Sequence, residues 1–298
     1  MRKQRAIKKQ DPPKNKNCEI FMCDGDTCPK TKKMLQDLHD IFLKGSKLIR
    51  NIGIESNNAF AMVVKGYEEN KIVIKRPRRK DGTVDSLRYE YVVGCDVRNT
   101  VSKRCPNFLK IYGYLQRLRN EYLIIQRINP GKTLREIICY EKKYTDFNDA
   151  RLRSLVLQVL CSLQVAQNMV KFTHYDLHFG NVLVKEDRKK KHIKYRYRDM
   201  NGTEHTVSCP VFGEIAVIID FGRSRTEESS KFLYANPEYF KPYEFLLKPK
   251  HNNLDIRKFN PVYDCKRFCS ILSKYVPNFY FDPKMLIREP HDIISFFF

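Results

Sequence analysis

The chain has 298 residues, 42% of them hydrophobic, and carries 56 Lys and Arg against 34 Asp and Glu for a formal charge of +22. That length and apolar content bury the core of one large domain or of two small lobes, which excludes a disordered chain. The charge suits an anionic partner, whether nucleic acid, phosphorylated protein or acidic membrane, and does not choose among them.

The first sixteen residues set Arg2, Lys3, Arg5, Lys8, Lys9, Lys14 and Lys16 against the single acid Asp11, with Pro12 and Pro13 beside it, which reads as a solvated basic tail. A nuclear localisation signal and a plain flexible arm are both open readings of it. Cys18, Cys23 and Cys28 recur at a spacing that matches no usual zinc pattern, so the ten cysteines are expected as reduced thiols. No stretch reaches the ~18 apolar residues of a membrane span and the N-terminus lacks a signal-peptide core, so a soluble intracellular protein is expected.

Met34, Leu35, Leu38, Ile41 and Phe42 fall at helical spacing and predict an amphipathic helix over 31–44. Strand-like runs at 60–64 and 71–75 flank a turn-prone segment and predict an antiparallel hairpin. A helix over about 83–96 follows, then strands near 109–116 and 122–126 that stop at Asn129-Pro130-Gly131, a candidate lobe boundary. Leu152, Leu155, Val156, Val159, Leu160, Leu163 and Ala166 mark a long core helix. Two short apolar strands, 181–184 and 215–219, bracket a polar, Lys- and Tyr-rich insertion over about 185–213. The remainder reads as irregular apart from a helix over 263–274. The expected organisation is a tail and accessory helix (1–44), a small lobe (45–128) and a larger lobe (129–298).

Two segments carry chemistry. His174-Tyr175-Asp176-Leu177-His178-Phe179-Gly180-Asn181 follows the long helix and precedes a strand. Asp176 offers a carboxylate to orient an attacking hydroxyl and take its proton, and Asn181 offers an amide oxygen to a metal, as phosphoryl transfer requires. Then Ile215-Ala216-Val217-Ile218-Ile219 delivers Asp220-Phe221-Gly222, 39 positions after Asn181, with Asp220 placed to grip a Mg²⁺ on triphosphate.

Found together and in this order, the two segments resemble the protein kinase superfamily over about residues 47–274. The fold this implies is α+β and bilobal: a small antiparallel-sheet lobe above a larger, mainly helical one. The cofactors it implies are ATP and Mg²⁺, the latter held by Asn181 and Asp220. Ile72-Val73-Ile74-Lys75 looks like the strand whose Lys holds the α- and β-phosphates, and Glu90 is the helix partner for Lys75, with Asp85 the competitor. Ile125 takes the gatekeeper position. Backbone groups from Gln126 to Ile128 would bind the adenine edge, with Val73 and Leu183 sandwiching the ring.

The pattern departs from the family in four places. Only Gly53 survives of the glycine-rich loop, which weakens backbone contact to ATP. Tyr175 replaces the Arg that reads an activation-loop phosphate, so loop phosphorylation is not required. His178 replaces the usual Lys and reads either as a group facing the γ-phosphate or as a structural loop histidine. No A-P-E segment follows, Asn236-Pro237-Glu238 being its nearest substitute. Asp264 looks like the helix Asp that braces the catalytic loop.

The insertion and the Asp-Leu-His-x-Gly-Asn string most resemble haspin-like kinases and the divergent kinases of large DNA viruses. The leading reading is a serine/threonine protein kinase acting in cytoplasm or nucleus, or in a host cell or virion if viral. The alternatives are a small-molecule kinase of the same fold, which shares that string, and a catalytically weak scaffold or nucleic-acid binder using the basic surface.

Overall fold

The computed structural model describes residues 18–22, 29–43, 49–51, 59–64, 72–77, 87–117, 120–129, 131–141, 143, 146, 148–248, 254–280 and 289–295. Two layers organise them. The upper one is a six-stranded antiparallel sheet of β1 (Cys18–Met22), β2 (Ile49–Asn51), β3 (Ala59–Val64), β4 (Ile72–Pro77), β5 (Ile111–Arg117) and β6 (Asn120–Gln126), in the order β1-β5-β6-β4-β3-β2. Helix α1 (Pro29–Leu43) and strand β1 join this sheet layer from the segment that the composition groups with the basic tail.

The two-residue period of the strands sorts the side chains. Ile72 and Ile74 of β4, with Leu115, Tyr122 and Ile124, form a small core under Leu35 and Leu38 of α1. The alternate residues, Val73 and Lys75, therefore emerge on the opposite face, toward α2 (Leu87–Asp96) and the lower lobe. The sheet thus aims Lys75 into the cleft because Ile72 and Ile74 anchor the other side. Gly94 lets α2 lie directly on β5, since a Cβ there would come within 2.0 Å of Ile111 Cδ1. The helix predicted from about 83 is described from Leu87 onward and runs on through a π-helical turn, Val97–Val101.

The lower lobe is built around α3 (Ala150–Val170), capped at its start by the Asp149 side chain, which accepts from Arg151 N, and closed by Lys171 in a left-handed conformation at φ 52°. Its apolar side chains are buried on almost every face. The polar ones that enter the core are paired: Gln158 receives Asn107 Nδ2 (3.2 Å) and Ala216 N (2.9 Å) on its carbonyl and donates to Glu214 O (3.1 Å). Through β11 (Glu214–Ile218) it meets a three-stranded sheet with β7 (Lys132–Thr133) and β8 (Val182–Glu186), in the order β11-β8-β7.

The segment over 185–213 is an ordered hairpin, β9 (His192–Arg198) with β10 (Glu204–Pro210), where the sequence suggests a polar insertion. Ile193, Tyr195 and Tyr197 alternate inward to the core while their neighbours face out, and Tyr195 Oη donates to Asn107 Oδ1 at 2.8 Å. The same two-residue rule that buried Ile72 and Ile74 applies here, masked by the Lys and Arg on the outer face. The stretch after residue 223 is also more regular than its proline content suggests. It holds α4 (Glu227–Ala235), α5 (Tyr263–Tyr275) and α6 (Pro290–Ile294), with 3-10 turns at Pro237–Tyr239 and Lys241–Leu247. No helix among the described residues is long and apolar enough to cross a membrane. Six described cysteines are free thiols, whereas Cys95 is disulfide-bonded, contrary to the reduced state expected for all of them.

Candidate active site

Between the sheet and the lower lobe, Lys75 is the hub. Its Nζ donates to both carboxylate oxygens of Glu90, at 3.0 and 2.8 Å, and to Asp220 Oδ1 at 2.7 Å. Glu90 reaches it because α2 presents Glu90 on its buried side; the competitor Asp85 lies outside the described residues. Burial pulls the Lys75 ammonium down, but Asp220 and Glu90 outweigh it and hold the group above its ordinary value. Lys75 in turn holds the Asp220 carboxyl below its ordinary value against the opposing effect of burial. For Glu90 burial wins, pushing the carboxyl up against the pull of Lys75.

Asp220 ends β11 in a left-handed conformation at φ 65°. Strain of this kind in a non-glycine residue persists only where the surroundings over-determine it. Here they do. Phe221 is fully buried against Phe108 and Phe172, with ring centroids 6.3 and 6.2 Å away, and against His174 at 6.2 Å. Gly222 O accepts from Tyr243 Oη at 2.5 Å, and Ser224 O accepts from Tyr89 Oη of α2 at 2.6 Å. The loop after the strand is therefore tied to the same helix that supplies Glu90.

The catalytic-loop segment hangs on two anchors. Asp264, fully buried on α5, accepts the backbone N–H of His174 at 2.5 Å and of Tyr175 at 2.9 Å. His174 joins this loop to the end of β11, its Nε2 lying 2.8 Å from Ile219 O while Nδ1 faces Asp176 N at 3.3 Å. Tyr175, also at positive φ (62°), is buried against Tyr263 and donates to Lys258 O. It fills with an aromatic ring the place where the family carries a phosphate-reading Arg.

Asp176 projects from this frame with two guanidinium groups on it. Arg267 of α5 donates from Nη2 to Asp176 Oδ1 at 3.0 Å and from Nη1 to Tyr175 O at 3.3 Å, while Arg223 Nη1 stands 3.4 Å from Asp176 Oδ2. Neither arginine stands out in sequence. Arg223 directly follows Asp220-Phe221-Gly222, and the spacing of Arg267 three positions after Asp264 puts it on the same side of α5, which is the only signal that could have found it.

Asn181 donates from Nδ2 to Asp176 O at 3.0 Å, which turns its carbonyl oxygen outward, and its own backbone O accepts from Ile219 N at 3.0 Å, next to Asp220. An amide oxygen and a half-exposed carboxylate side by side, facing an ammonium, are a donor set suited to a hard divalent cation bound with phosphates. His178 has a different task. Its Nδ1 accepts from Gly180 N at 3.0 Å and caps the turn Phe179–Asn181, which favours the structural reading over one facing a phosphate. Burial lowers its pKa, only partly opposed by Asp176.

Val73 on β4 and Leu183 on β8 come from the upper and lower layers, and Ile125 on β6 lies opposite both Val73 and Ile111 in the sheet. The N–H of Gln126 is engaged by Lys110 O at 2.8 Å, so a backbone donor for a nucleobase edge would have to come from beyond it, toward Ile128. Gly53 lies outside the described residues.

The antiparallel sheet with its Lys-to-helix ion pair, set over a mainly helical lobe that carries the catalytic-type loop, defines an α+β bilobal kinase-like protein. Comparison with known sequences agrees: over part of its length the chain is similar to proteins named as kinases, which supports a divergent relative of the protein kinase superfamily. It is 24% identical over 185 residues to "Probable kinase 098L" of Invertebrate iridescent virus 3, covering 62% of this chain and 33% of the viral protein. It is 36% identical over 127 residues to a Dictyostelium discoideum protein named probable serine/threonine-protein kinase, covering 42% of this chain and 10% of that protein. It is 36% identical over 87 residues to the serine/threonine-protein kinase haspin of Mus musculus, covering 29% of this chain and 11% of haspin. The aligned part thus spans a third or less of each of these relatives. No family model matches the chain.

Proposed function

We propose that the chain is an ATP- and Mg²⁺-dependent protein kinase that transfers the γ-phosphate to serine or threonine hydroxyls of protein substrates. The observation that carries this is the Lys75 hub, with Glu90 and Asp220 bonded to one ammonium across the cleft from Asp176. Lys75, relayed by Glu90, would bind the α- and β-phosphates. Asn181 and Asp220 would hold Mg²⁺, which offsets charge on the phosphates during transfer. Asp176 would orient the substrate hydroxyl and accept its proton, its carboxylate steered by Arg267 and Arg223. Most of the rate enhancement would come from positioning and fixed charge, with no covalent step on the protein.

Val73, Leu183 and Ile125 would enclose the adenine, and the backbone around Gln126 and Ile128 would read its edge. In this reading the small lobe spans about 45–128 with β1 and α1 added to its sheet, and the large lobe 129–298 carries the 185–213 hairpin. Serine/threonine specificity is supported by the names of the Dictyostelium and mouse relatives. The nucleic-acid reading of the charge gains no support from any of these relatives. Tyr175, sealed in the core, and α4, whose start is capped by Thr226 and Ser229 and which packs Phe232 on Tyr89 of α2, favour a cleft assembled without loop phosphorylation.

The test is transfer from radiolabelled ATP to a mixed protein panel and a metabolite panel. Asp176→Asn is run alongside. Label in protein Ser or Thr, reduced about 10²- to 10⁴-fold by the substitution, supports the reading; label only in metabolites, or equal label from the variant, overturns it.

A further inference from the structure

Away from the cleft, the hairpin and the C-terminal helix bring together Asp199, His205 and His291, whose ligand atoms lie within 4.8 Å of one another. Asp199 sits in the β9–β10 turn, His205 on β10 and His291 on α6, so the three come from two elements separated in sequence. His205 Nε2 is 2.9 Å from Asp199 Oδ2. The two imidazoles overlap with centroids 4.1 Å apart at 34°.

Two of the three donors, Asp199 and His291, are held from behind. Asp199 Oδ1 accepts the turn amides of Asn201 and Thr203, both at 2.9 Å, which leaves Oδ2 facing His205. Tyr197 Oη bonds His291 Nδ1 at 3.1 Å, which leaves the other ring nitrogen of His291 to point elsewhere. Outer partners of this kind set tautomer and ring orientation in metal sites. The base of α6 is fixed as well: Glu289, buried, accepts from Gln164 Nε2 of α3 at 2.7 Å and from Met200 N at 2.7 Å, and His291 N donates to Gln164 Oε1 at 3.0 Å.

Two imidazoles with centroids 4.1 Å apart, beside one carboxylate, gather three donors of the kind a divalent transition metal takes. A dication in their midst satisfies all three groups at once. We propose that Asp199, His205 and His291 bind a first-row divalent transition metal, zinc by preference, as a structural clip joining the hairpin to α6. Nitrogen–nitrogen–oxygen sets suit such borderline ions, at metal–ligand distances of about 2.0–2.2 Å that place donors about 3.3 Å apart. From the 4.8 Å limit the widest pair has to close by at most about 1.5 Å, while His205 and Asp199, at 2.9 Å, open slightly, a side-chain adjustment. Water completes the coordination, and the clip stands apart from the nucleotide cleft, so it does not depend on the reading of that cleft.

The experiment is a titration of the untagged full chain, stripped with chelator, at pH 7.5 and without nucleotide, using Co²⁺ followed by its visible absorption and Zn²⁺ by calorimetry. One equivalent is expected, with visible bands and no strong near-ultraviolet thiolate band. His291→Ala and Asp199→Asn should each weaken binding by about 100-fold or more, and Tyr197→Phe, which keeps the buried ring, by about 10-fold. Zn²⁺ should raise the melting temperature of the parent and leave that of His291→Ala where it was. Binding that is absent in the parent, that shows a thiolate band, or that persists within threefold in variants shown by circular dichroism to be folded would overturn the clip.

Discussion

Arg267 and Asp176 stand 91 positions apart in sequence and 3.0 Å apart in space, with the guanidinium also holding Tyr175 O in the residue before the carboxylate. Two hydrogen bonds from one planar group fix both the position and the rotation of the Asp176 side chain.

With Asp176 as the base and Lys75 on the phosphates, as proposed, Arg267→Ala is expected to lower kcat by about 10- to 100-fold while leaving the KM for ATP within about twofold, because it loosens Asp176 without touching Lys75. Steady-state kinetics on the best panel substrate decide it. A rise in KM with unchanged kcat would show that Arg267 acts in binding.

Lys75→Met tests the hub through stability as well as activity. In the parent, Asp220 has a depressed carboxyl pKa, so its contribution is present above the unfolded carboxylate range and lost as pH falls through its folded value. In the variant that contribution disappears, and Glu90, pushed up by burial with no ammonium to oppose it, takes up a proton more readily when folded than unfolded. The melting temperature of Lys75→Met should rise more steeply than the parent's as pH is lowered from 8 to 5, because the ammonium that opposes protonation of Glu90 in the parent is gone. Phosphotransfer should fall by about 10²- to 10³-fold.

Asp264→Ala removes the acceptor of two buried backbone N–H groups at His174 and Tyr175. Leaving both unsatisfied costs about 2–5 kcal/mol of folding stability. Denaturant unfolding should show the loss, and Asp264→Asn, which keeps one oxygen acceptor, should recover part of it. Equal stability of Asp264→Ala and parent would remove Asp264 as the brace of the loop.

His178 offers a pH test. Its pKa is lowered chiefly by burial, so the folded state holds the neutral ring and the unfolded state binds the proton first. Its contribution to stability is then full above the unfolded value near 6.5 and falls as pH drops from there toward the lower folded value. His178→Asn keeps an acceptor for Gly180 N and has no proton to gain. Its melting temperature should depend less on pH between 7 and 5 than the parent's, and its kcat at pH 7.5 should stay within about threefold. A drop of kcat by a hundredfold would return His178 to the chemistry.

The sequence alone determined which chemical groups were available and roughly where they stood along the chain. Lys75, Asp176, Asn181 and Asp220 are legible because each is a residue type suited to phosphoryl transfer that sits in, or directly beside, a strand or helix that apolar periodicity reveals. Glu90 is legible because a single turn of helix decides which face it shares. The strands Ala59–Val64 and Ile72–Pro77 and the helix Ala150–Val170 follow from patterns within one element.

Tertiary structure alone decided what surrounds those groups. No local pattern joins Arg267 to Asp176, Tyr195 to Asn107, or His291 to His205, since each pair meets only after α5, the hairpin or α6 docks on a core assembled from distant segments. The surroundings of His178 came the same way: the hydrogen bond from Gly180 N and partial burial favour a cap, and neither can be read from the letters. Side-chain identity is encoded residue by residue, but desolvation and charge pairing belong to the packed whole.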